Sequence, residues 1–146
     1  MDLRERANSY IEQGNVMQLA TVRGDQPWVC TVYFVFLDGA IYWLSYPDRR
    51  HSLELSDNPN IAVTIPIKFD KPVIGVQVAG TAELEADTQT IEAVMKKYVS
   101  KYGAGKDFHN NYVSGSNKHV MYKMKFTETV LFDEVNFPEQ GRVVVP

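Results

Sequence analysis

The sequence has little of the chemistry that marks metalloproteins and disulfide-stabilised proteins, because its 146 residues include one cysteine and three histidines. A single cysteine excludes an intrachain disulfide. Together with His51, His109 and His119 it forms no recognisable zinc-ligand spacing. Cys30 lies inside an apolar run, so we expect a buried thiol rather than a reactive one.

The sequence also lacks a membrane-spanning run and an excess of basic residues. No apolar stretch reaches the roughly 20 residues that cross a bilayer, and the charged N-terminal segment 1–6 has no apolar core of a secretion signal. With 15 Lys and Arg against 18 Asp and Glu, the net charge of −3 gives no general attraction to nucleic-acid phosphates. We expect a cytoplasmic protein that binds neither membranes nor nucleic acid.

The chain has the size of one domain, residues 1–146, and enough apolar and aromatic residues to bury a core. A capping-box spacing of Asp2 and Glu5, followed by a stop at Gly14, predicts a helix over 2–13. Apolar residues at helical spacing predict a second helix over 88–102. The polar segment 104–118 predicts a loop.

Short alternating or apolar segments predict six strands, over 16–22, 28–37, 40–45, 61–67, 73–84 and 120–132. Asp38 and Gly39 predict a tight hairpin turn. Gly75 and Gly80, inside the fifth strand, indicate a bulge or a close backbone approach. Local hairpins without a repeated βαβ period favour a mainly β fold, a six-stranded antiparallel barrel with flanking helices. The tail 133–146 has no clear pattern.

A basic turn follows the third strand. Pro47 and Asp48 can open a short helix there, which places Arg49, Arg50 and His51 in its first turn. Cations at a helix N-terminus oppose the macrodipole unless an anion is bound. The turn therefore suggests a phosphate site, and the alternative is ordinary solvated surface charge.

Several short segments between residues 16 and 85 occur in a characteristic order. They are Leu19–Val22, Pro27–Trp28, Thr31–Phe34, Ile41–Ser45, Arg50–His51, Asn58–Val63 and Gly75–Leu84. This set, followed by a helix and a final strand, resembles the pyridoxamine 5′-phosphate oxidase-like split-barrel flavoproteins. The resemblance implies an FMN-binding split barrel that forms homodimers.

The resemblance also implies roles for individual residues. In the family, a hydroxyl at the end of the third strand, and an arginine and a lysine in the next turn, hold the flavin phosphate. The second strand lines the isoalloxazine ring, and a glutamine of the fifth strand reaches its polar edge. The matching phosphate candidates are Ser45, Arg50 and His51, with Arg49 beside them, and the ring candidates are Thr31, Val32, Tyr33, Phe34 and Gln77.

Two departures from the oxidases bear on function. His51 stands where they have lysine, so one charge at the phosphate becomes titratable. Their C-terminal substrate-binding segment has no counterpart here, which puts the vitamin B6 reaction itself in doubt. The resemblance therefore implies an FMN-dependent oxidoreductase that acts on a small molecule of unknown identity.

No residue pair resembles a catalytic dyad, which fits a flavin enzyme because the cofactor performs the redox chemistry. It fits equally the alternative, a non-catalytic protein that binds or stores a flavin, haem or deazaflavin. We interpret Tyr42 and Trp43 as core or interface residues, and His109 and His119 as solvent-facing.

Overall fold

The computed structural model describes residues 1–115 and 118–146, which form a mainly β fold with flanking helices. The described helices are α1 (Leu3–Gln13), α2 (Arg50–Asp57), α3 (Thr88–Tyr102) and α4 (Lys106–Val113). The described strands are β1 (Met17–Arg23), β2 (Gln26–Val32), β3 (Val35–Leu37), β4 (Ala40–Ser45), β5 (Asn60–Lys68), β6 (Ile74–Leu84), β7 (Val120–Asp133) and β8 (Arg142–Val145).

The two predicted helices are confirmed, with their caps. Asp2 accepts a hydrogen bond from the Glu5 N–H at 2.8 Å, and the Glu5 side chain accepts one from the Asp2 N–H at 2.9 Å. At α3 the Asp87 side chain accepts a hydrogen bond from the Thr90 N–H at 2.9 Å, and Gly103 ends the helix in the left-handed region at φ 66°. These helix ends are therefore local consequences of the sequence.

All eight described strands belong to one antiparallel sheet in the order β2-β1-β5-β6-β7-β4-β3, with β8 added to β7. β2 and β3 are neighbours in the chain but lie at opposite ends of this order, joined only through Tyr33 and Phe34. The predicted barrel is thus a split barrel whose sheet is not closed by hydrogen bonds among the described strands.

One of the strand predictions was wrong, and the tail, for which no strand was predicted, adds another strand. The strand expected over 28–37 breaks into β2 and β3, because β2 pairs with β1 and β3 pairs with β4, and Tyr33 and Phe34 between them pair with neither. Phe34 and Phe36 face the core inside the sheet, whereas Val35 packs with residues of α3. The tail forms β8, where Val143 and Val144 pair with Leu131 and Val130.

The predicted loop over 104–118 contains α4. Gly105 precedes the helix, and Phe108 and Tyr112, four residues apart, pack on the cluster formed by α3 and β4. This tertiary contact stabilises a segment whose local composition favours a loop. In the part of the chain that the structure describes, no helix is long and apolar enough to span a membrane.

Gly80 allows β6 and β7 to approach closely, as its position in the sequence suggested. The ladder between these strands shifts register between Ala79 and Gly80, and a Cβ at Gly80 would overlap the Lys125 carbonyl oxygen. At Gly75, a Cβ would lie 3.5 Å from the Ile65 carbonyl oxygen, which is ordinary contact. The two glycines of one strand therefore differ in what they require.

We expect Gly80→Ala to lower the free energy of unfolding by about 2 kcal/mol or more, because the overlapped atom belongs to a neighbouring strand and not to a flexible side chain. Gly75→Ala is the matched control and should change stability by less than about 1 kcal/mol. Chemical denaturation of both variants measures the difference. Equal denaturation midpoints would contradict the close approach at Gly80.

Candidate functional site

A cavity of about 560 Å³ lies beside the split in the barrel. Its walls come from β2 and the residue after it, from the end of β4, from the turn before α2 and the start of α2, and from α3 and α4. The segments before β1 and before β7 complete them. The lining residues are Val16, Thr31, Val32, Tyr33, Leu44, Ser45, Tyr46, Arg49, His51, Tyr98, Phe108 and His119. Six of the nine residues predicted for the site thus line one cavity.

One end of the cavity is polar and carries Ser45, Arg49 and His51. Ser45 is buried at the end of β4, and its Oγ lies 2.5 Å from His51 Nε2. Burial lowers the pKa of His51, the nearby Arg49 charge lowers it further, and Glu54 partly offsets both. An anion at this end would find a hydroxyl, an imidazole and a guanidinium together.

The helix behind this polar end starts later than expected. Arg49 is the N-cap of α2 and makes no side-chain capping bond, so the predicted helix opening at Pro47 and Asp48 was wrong. Asp48 is exposed and only reaches Arg49 at 4.0 Å. The N-cap side chain therefore satisfies none of the N–H groups in the first turn of α2, and N–H groups at a helix start are a common setting for anion binding.

Arg50 points away from the cavity. Its Nε donates to Glu54 Oε2 at 2.9 Å, and its guanidinium lies 3.9 Å from the centroid of the Trp28 ring. Glu54 is fully buried, and its other oxygen has no hydrogen-bond partner among the described residues. Because a buried carboxylate needs a compensating charge, Arg50 is committed to Glu54 in this structure.

The other end of the cavity is aromatic. Tyr33 lies 4.7 Å from Tyr102, centroid to centroid, and Tyr98 stacks on Phe108 at 5.7 Å. Where this wall meets the polar end, His119 stacks on Tyr46 at 4.0 Å, and the Arg49 guanidinium lies 5.0 Å from the centroid of the Tyr46 ring. Burial lowers the pKa of His119, and the nearby Arg49 charge lowers it further. The interpretation of His119 as solvent-facing was therefore wrong. The sequence carries no local signal for this wall, because α4 and the segment before β7 reach the cavity only through tertiary packing.

The three remaining candidates lie elsewhere. Phe34 is fully buried in the core, and Arg50 contacts Glu54 and Trp28. Gln77 is exposed on the outer face of β6 and lines a separate groove of about 400 Å³. The structure does not bring these three side chains into the cavity of the same chain. Tyr42 and Trp43, by contrast, are buried as expected.

The cavity suits an aromatic ligand that carries an anionic group. Its volume lies in the range of about 300–1,000 Å³ typical of small-molecule sites, and its aromatic wall continues into a polar end with hydrogen-bond donors. In the part of the chain described, no group of three or more His, Cys, Asp or Glu side chains is placed to hold a metal ion. A phosphorylated flavin fits this donor set.

Two comparisons bear on ancestry. The family profile of pyridoxamine 5′-phosphate oxidase matches residues 3–132, whereas no curated protein sequence matches the chain.

Among solved structures, the conserved hypothetical protein Rv2991 of Mycobacterium tuberculosis is 20% identical with a TM-score of 0.79, over 94% of this chain and 88% of that chain. A FAD-binding protein of Mesorhizobium loti is 18% identical with a TM-score of 0.67, over 86% of this chain and 88% of that one. A heme binding protein of Mycobacterium smegmatis is 20% identical with a TM-score of 0.72, over 88% of this chain and 52% of that one.

At these identities the structural likenesses concern the fold alone. The family profile, however, extends over most of the chain and ends within β7. This chain belongs to the pyridoxamine 5′-phosphate oxidase family and has its split-barrel fold.

Proposed function

We propose that this protein binds FMN in the cavity beside the split and uses it as an oxidoreductase. The observation that carries the proposal is the joining of an aromatic wall to a polar end formed by Ser45, Arg49 and His51. The FAD-binding relative in the same fold supports a flavin as the ligand. The proposed substrate is a small redox-active molecule that exchanges electrons with the bound flavin.

The polar end would hold the phosphate and the aromatic end the ring system. Arg49 supplies a permanent charge and His51 a titratable one, while Ser45 fixes the imidazole through their shared hydrogen bond. The backbone and side chains of Thr31, Val32 and Tyr33 form the wall along the ring. The role predicted for Arg50 stays a prediction, which the variants below test.

A bound flavin would supply the redox chemistry, accepting electrons from a donor and passing them to an acceptor. The protein's part is to orient the ring and exclude water from it. A non-catalytic flavin carrier needs the same contacts, so the two functions differ only in reactivity. Bleaching of the flavin absorption by NADH or another reductant under turnover conditions distinguishes the enzyme from the carrier.

Haem is the second candidate ligand. His51 and His119 line the same cavity, imidazole is a common iron ligand, and a relative in this fold is a heme binding protein. Ser45 engages His51 Nε2, however, and the polar end carries a cation suited to a phosphate. The absorption spectrum of the purified, cofactor-loaded protein separates a flavin from a haem.

We also propose a homodimer in which the outer face of the sheet meets a second copy. Val29 and Gln77 are exposed on this face and line the groove of about 400 Å³. The groove is next to the cavity, because Gln18 of the groove donates a hydrogen bond at 3.4 Å to Thr31 of the cavity. A second copy would cover this apolar surface. In such a dimer, the glutamine predicted to reach the polar edge of the ring would come from the second copy, since Gln77 lies outside the cavity of its own chain.

Arg49→Gln should weaken FMN binding by roughly tenfold to a hundredfold, because it removes a charge-assisted contact to the phosphate. Riboflavin lacks the phosphate, so its affinity should change little. Fluorescence titration of both flavins gives the ratio of their dissociation constants.

Arg50→Gln is the matched control. It should lower stability, since Glu54 loses its partner, but leave the FMN-to-riboflavin affinity ratio at the wild-type value. If the ratio changes in Arg50→Gln and does not change in Arg49→Gln, then Arg50 and not Arg49 binds the phosphate. Failure of the wild-type protein to bind either flavin would refute the proposed function.

FMN affinity should depend on pH through His51. The pKa of this imidazole is lowered in the free protein, and a phosphate dianion beside it raises the pKa on binding. Binding then takes up a proton, so affinity is strongest below the free-state pKa and falls as pH rises through the bound-state pKa.

His51→Lys should bind FMN as tightly as the wild-type protein does at low pH, and this affinity should not fall as pH rises. His51→Gln should bind FMN as weakly as the wild-type protein does at high pH, and this affinity should not rise as pH falls. The ionisation of the phosphate itself is common to all three proteins and cancels in the comparison. Fluorescence titrations between about pH 5.5 and 8.5 cover the relevant range, since unperturbed histidine ionises near 6.5. Parallel curves for wild type and His51→Gln would remove His51 from the site.

The dimer is tested with two alanine-to-arginine variants. Ala62 is exposed on the outer face of β5, and Ala93 is exposed on α3. Ala62→Arg should shift the sedimentation equilibrium towards the 16.6 kDa monomer and weaken FMN binding, whereas Ala93→Arg should do neither. A wild-type protein that sediments only as a monomer at micromolar concentration would contradict the proposal.

A further inference from the structure

Side chains of α3 form hydrogen bonds to the backbone at the interruption between strands β2 and β3, which is called the strand break below. The Phe34 N–H donates to the Tyr102 hydroxyl at 3.0 Å, and this hydroxyl lies 2.9 Å from the Phe34 carbonyl oxygen and 2.7 Å from that of Asn15. Lys101 Nζ also donates to the Phe34 carbonyl oxygen, at 3.0 Å. The Tyr102 hydroxyl thus accepts from the N–H of a residue that has no strand partner, and its single proton is shared between the carbonyl oxygens of Asn15 and Phe34.

These contacts replace missing sheet hydrogen bonds. Backbone groups that are shielded from water and unpaired are costly, and the open sheet offers Phe34 no neighbouring strand. Burial raises the pKa of Tyr102 to about 12, so its hydroxyl stays protonated and can both donate and accept. Lys101 can substitute at the carbonyl, but among the described residues Tyr102 alone accepts from the N–H.

The same tyrosine also contacts the cavity wall. Its ring lies 4.7 Å from that of Tyr33 and 4.9 Å from that of Tyr98, centroid to centroid. Both of these residues line the cavity, whereas Tyr102 does not. Tyr33 is 57% exposed and directly precedes Phe34, so its position depends on the backbone that Tyr102 binds and on the ring that it packs against.

We propose that Tyr102 is a positioning residue for the cofactor ring: its hydroxyl fixes the strand break and its ring seats Tyr33 as the wall of the cavity. This inference rests on the proposed flavin site and adds a residue outside the cavity to it. Because Tyr33 belongs to the aromatic end, Tyr102 should govern the affinity for the ring and not for the phosphate.

Tyr102→Phe removes the hydroxyl and keeps the ring. We expect it to weaken FMN and riboflavin binding by the same factor, about tenfold, which corresponds to about 1.4 kcal/mol. His51→Gln should give the opposite pattern, with a loss for FMN alone. A common factor for the two flavins therefore reports on the ring and not on the phosphate, and the control below separates it from a general loss of stability.

Tyr10→Phe is the matched control. Tyr10 is a part-buried tyrosine whose hydroxyl donates to Asp133 at 2.8 Å, and it lies outside the cavity lining. Its loss should lower stability to a similar extent and leave both flavin affinities unchanged. Equal flavin affinities in Tyr102→Phe and Tyr10→Phe, at matched stability, would overturn the positioning role.

Amide hydrogen exchange of the free protein tests the contact without any flavin. The Phe34 N–H should exchange roughly tenfold faster in Tyr102→Phe than in wild type or Tyr10→Phe, because Lys101 cannot accept its hydrogen bond. Unchanged exchange would overturn the inference even if flavin binds. If the variant exchanges faster but the wild-type protein binds no flavin, the proposed function is refuted. The hydrogen bond between Tyr102 and the backbone of Phe34 is supported in that case.

Discussion

The architecture depends on satisfying the backbone at the one place where the sheet does not close. A fully paired barrel would satisfy every strand through its neighbours, but here β2 and β3 end the sheet on opposite sides of Tyr33 and Phe34. Helix α3 supplies the missing partners from its last two residues, and Lys97 adds a contact to the Phe36 carbonyl. The cavity lies beside this gap, and Tyr33, which is part of the gap, forms one of its walls.

A second constraint gives the cations of the basic turn different partners. Glu54 is buried without a second partner among the described residues, and it takes the nearest guanidinium, that of Arg50. Trp28 covers the other side of the same guanidinium. Arg49 and His51 flank Arg50 and remain directed to the cavity, so one buried carboxylate decides which cations of the turn are available to a ligand.

Much of the fold follows from local patterns in the sequence. The capping box at Asp2, the αL stop at Gly103 and the turn at Asp38 and Gly39, both with positive φ, need no tertiary information. The break after β2, helix α4 and strand β8 do need it, because each forms against a distant partner. Helix α4 packs on α3, and β8 pairs with β7.

The site was predictable only in part, for the same physical reason. Ser45, Arg49 and His51 lie within seven residues of one another, so a short motif brings them together. Which arginine faces the cavity depends on where α2 begins, and a shift of one or two residues turns a side chain by 100° or more. Phe108 and His119 also line the cavity, but the sequence around them contains no pattern that predicts this.

The distance along the chain between Phe34 and Tyr102 has a consequence for folding. These contacting residues are separated by 68 positions, and the cavity also needs residues of α4 and the segment before β7. Long loops must close before such contacts form, so the cavity is completed late, when α3 docks on the curled sheet. A ligand of this cavity binds only the docked form and therefore stabilises the whole fold by mass action. The protein's resistance to heat and proteolysis should then follow the supply of its ligand.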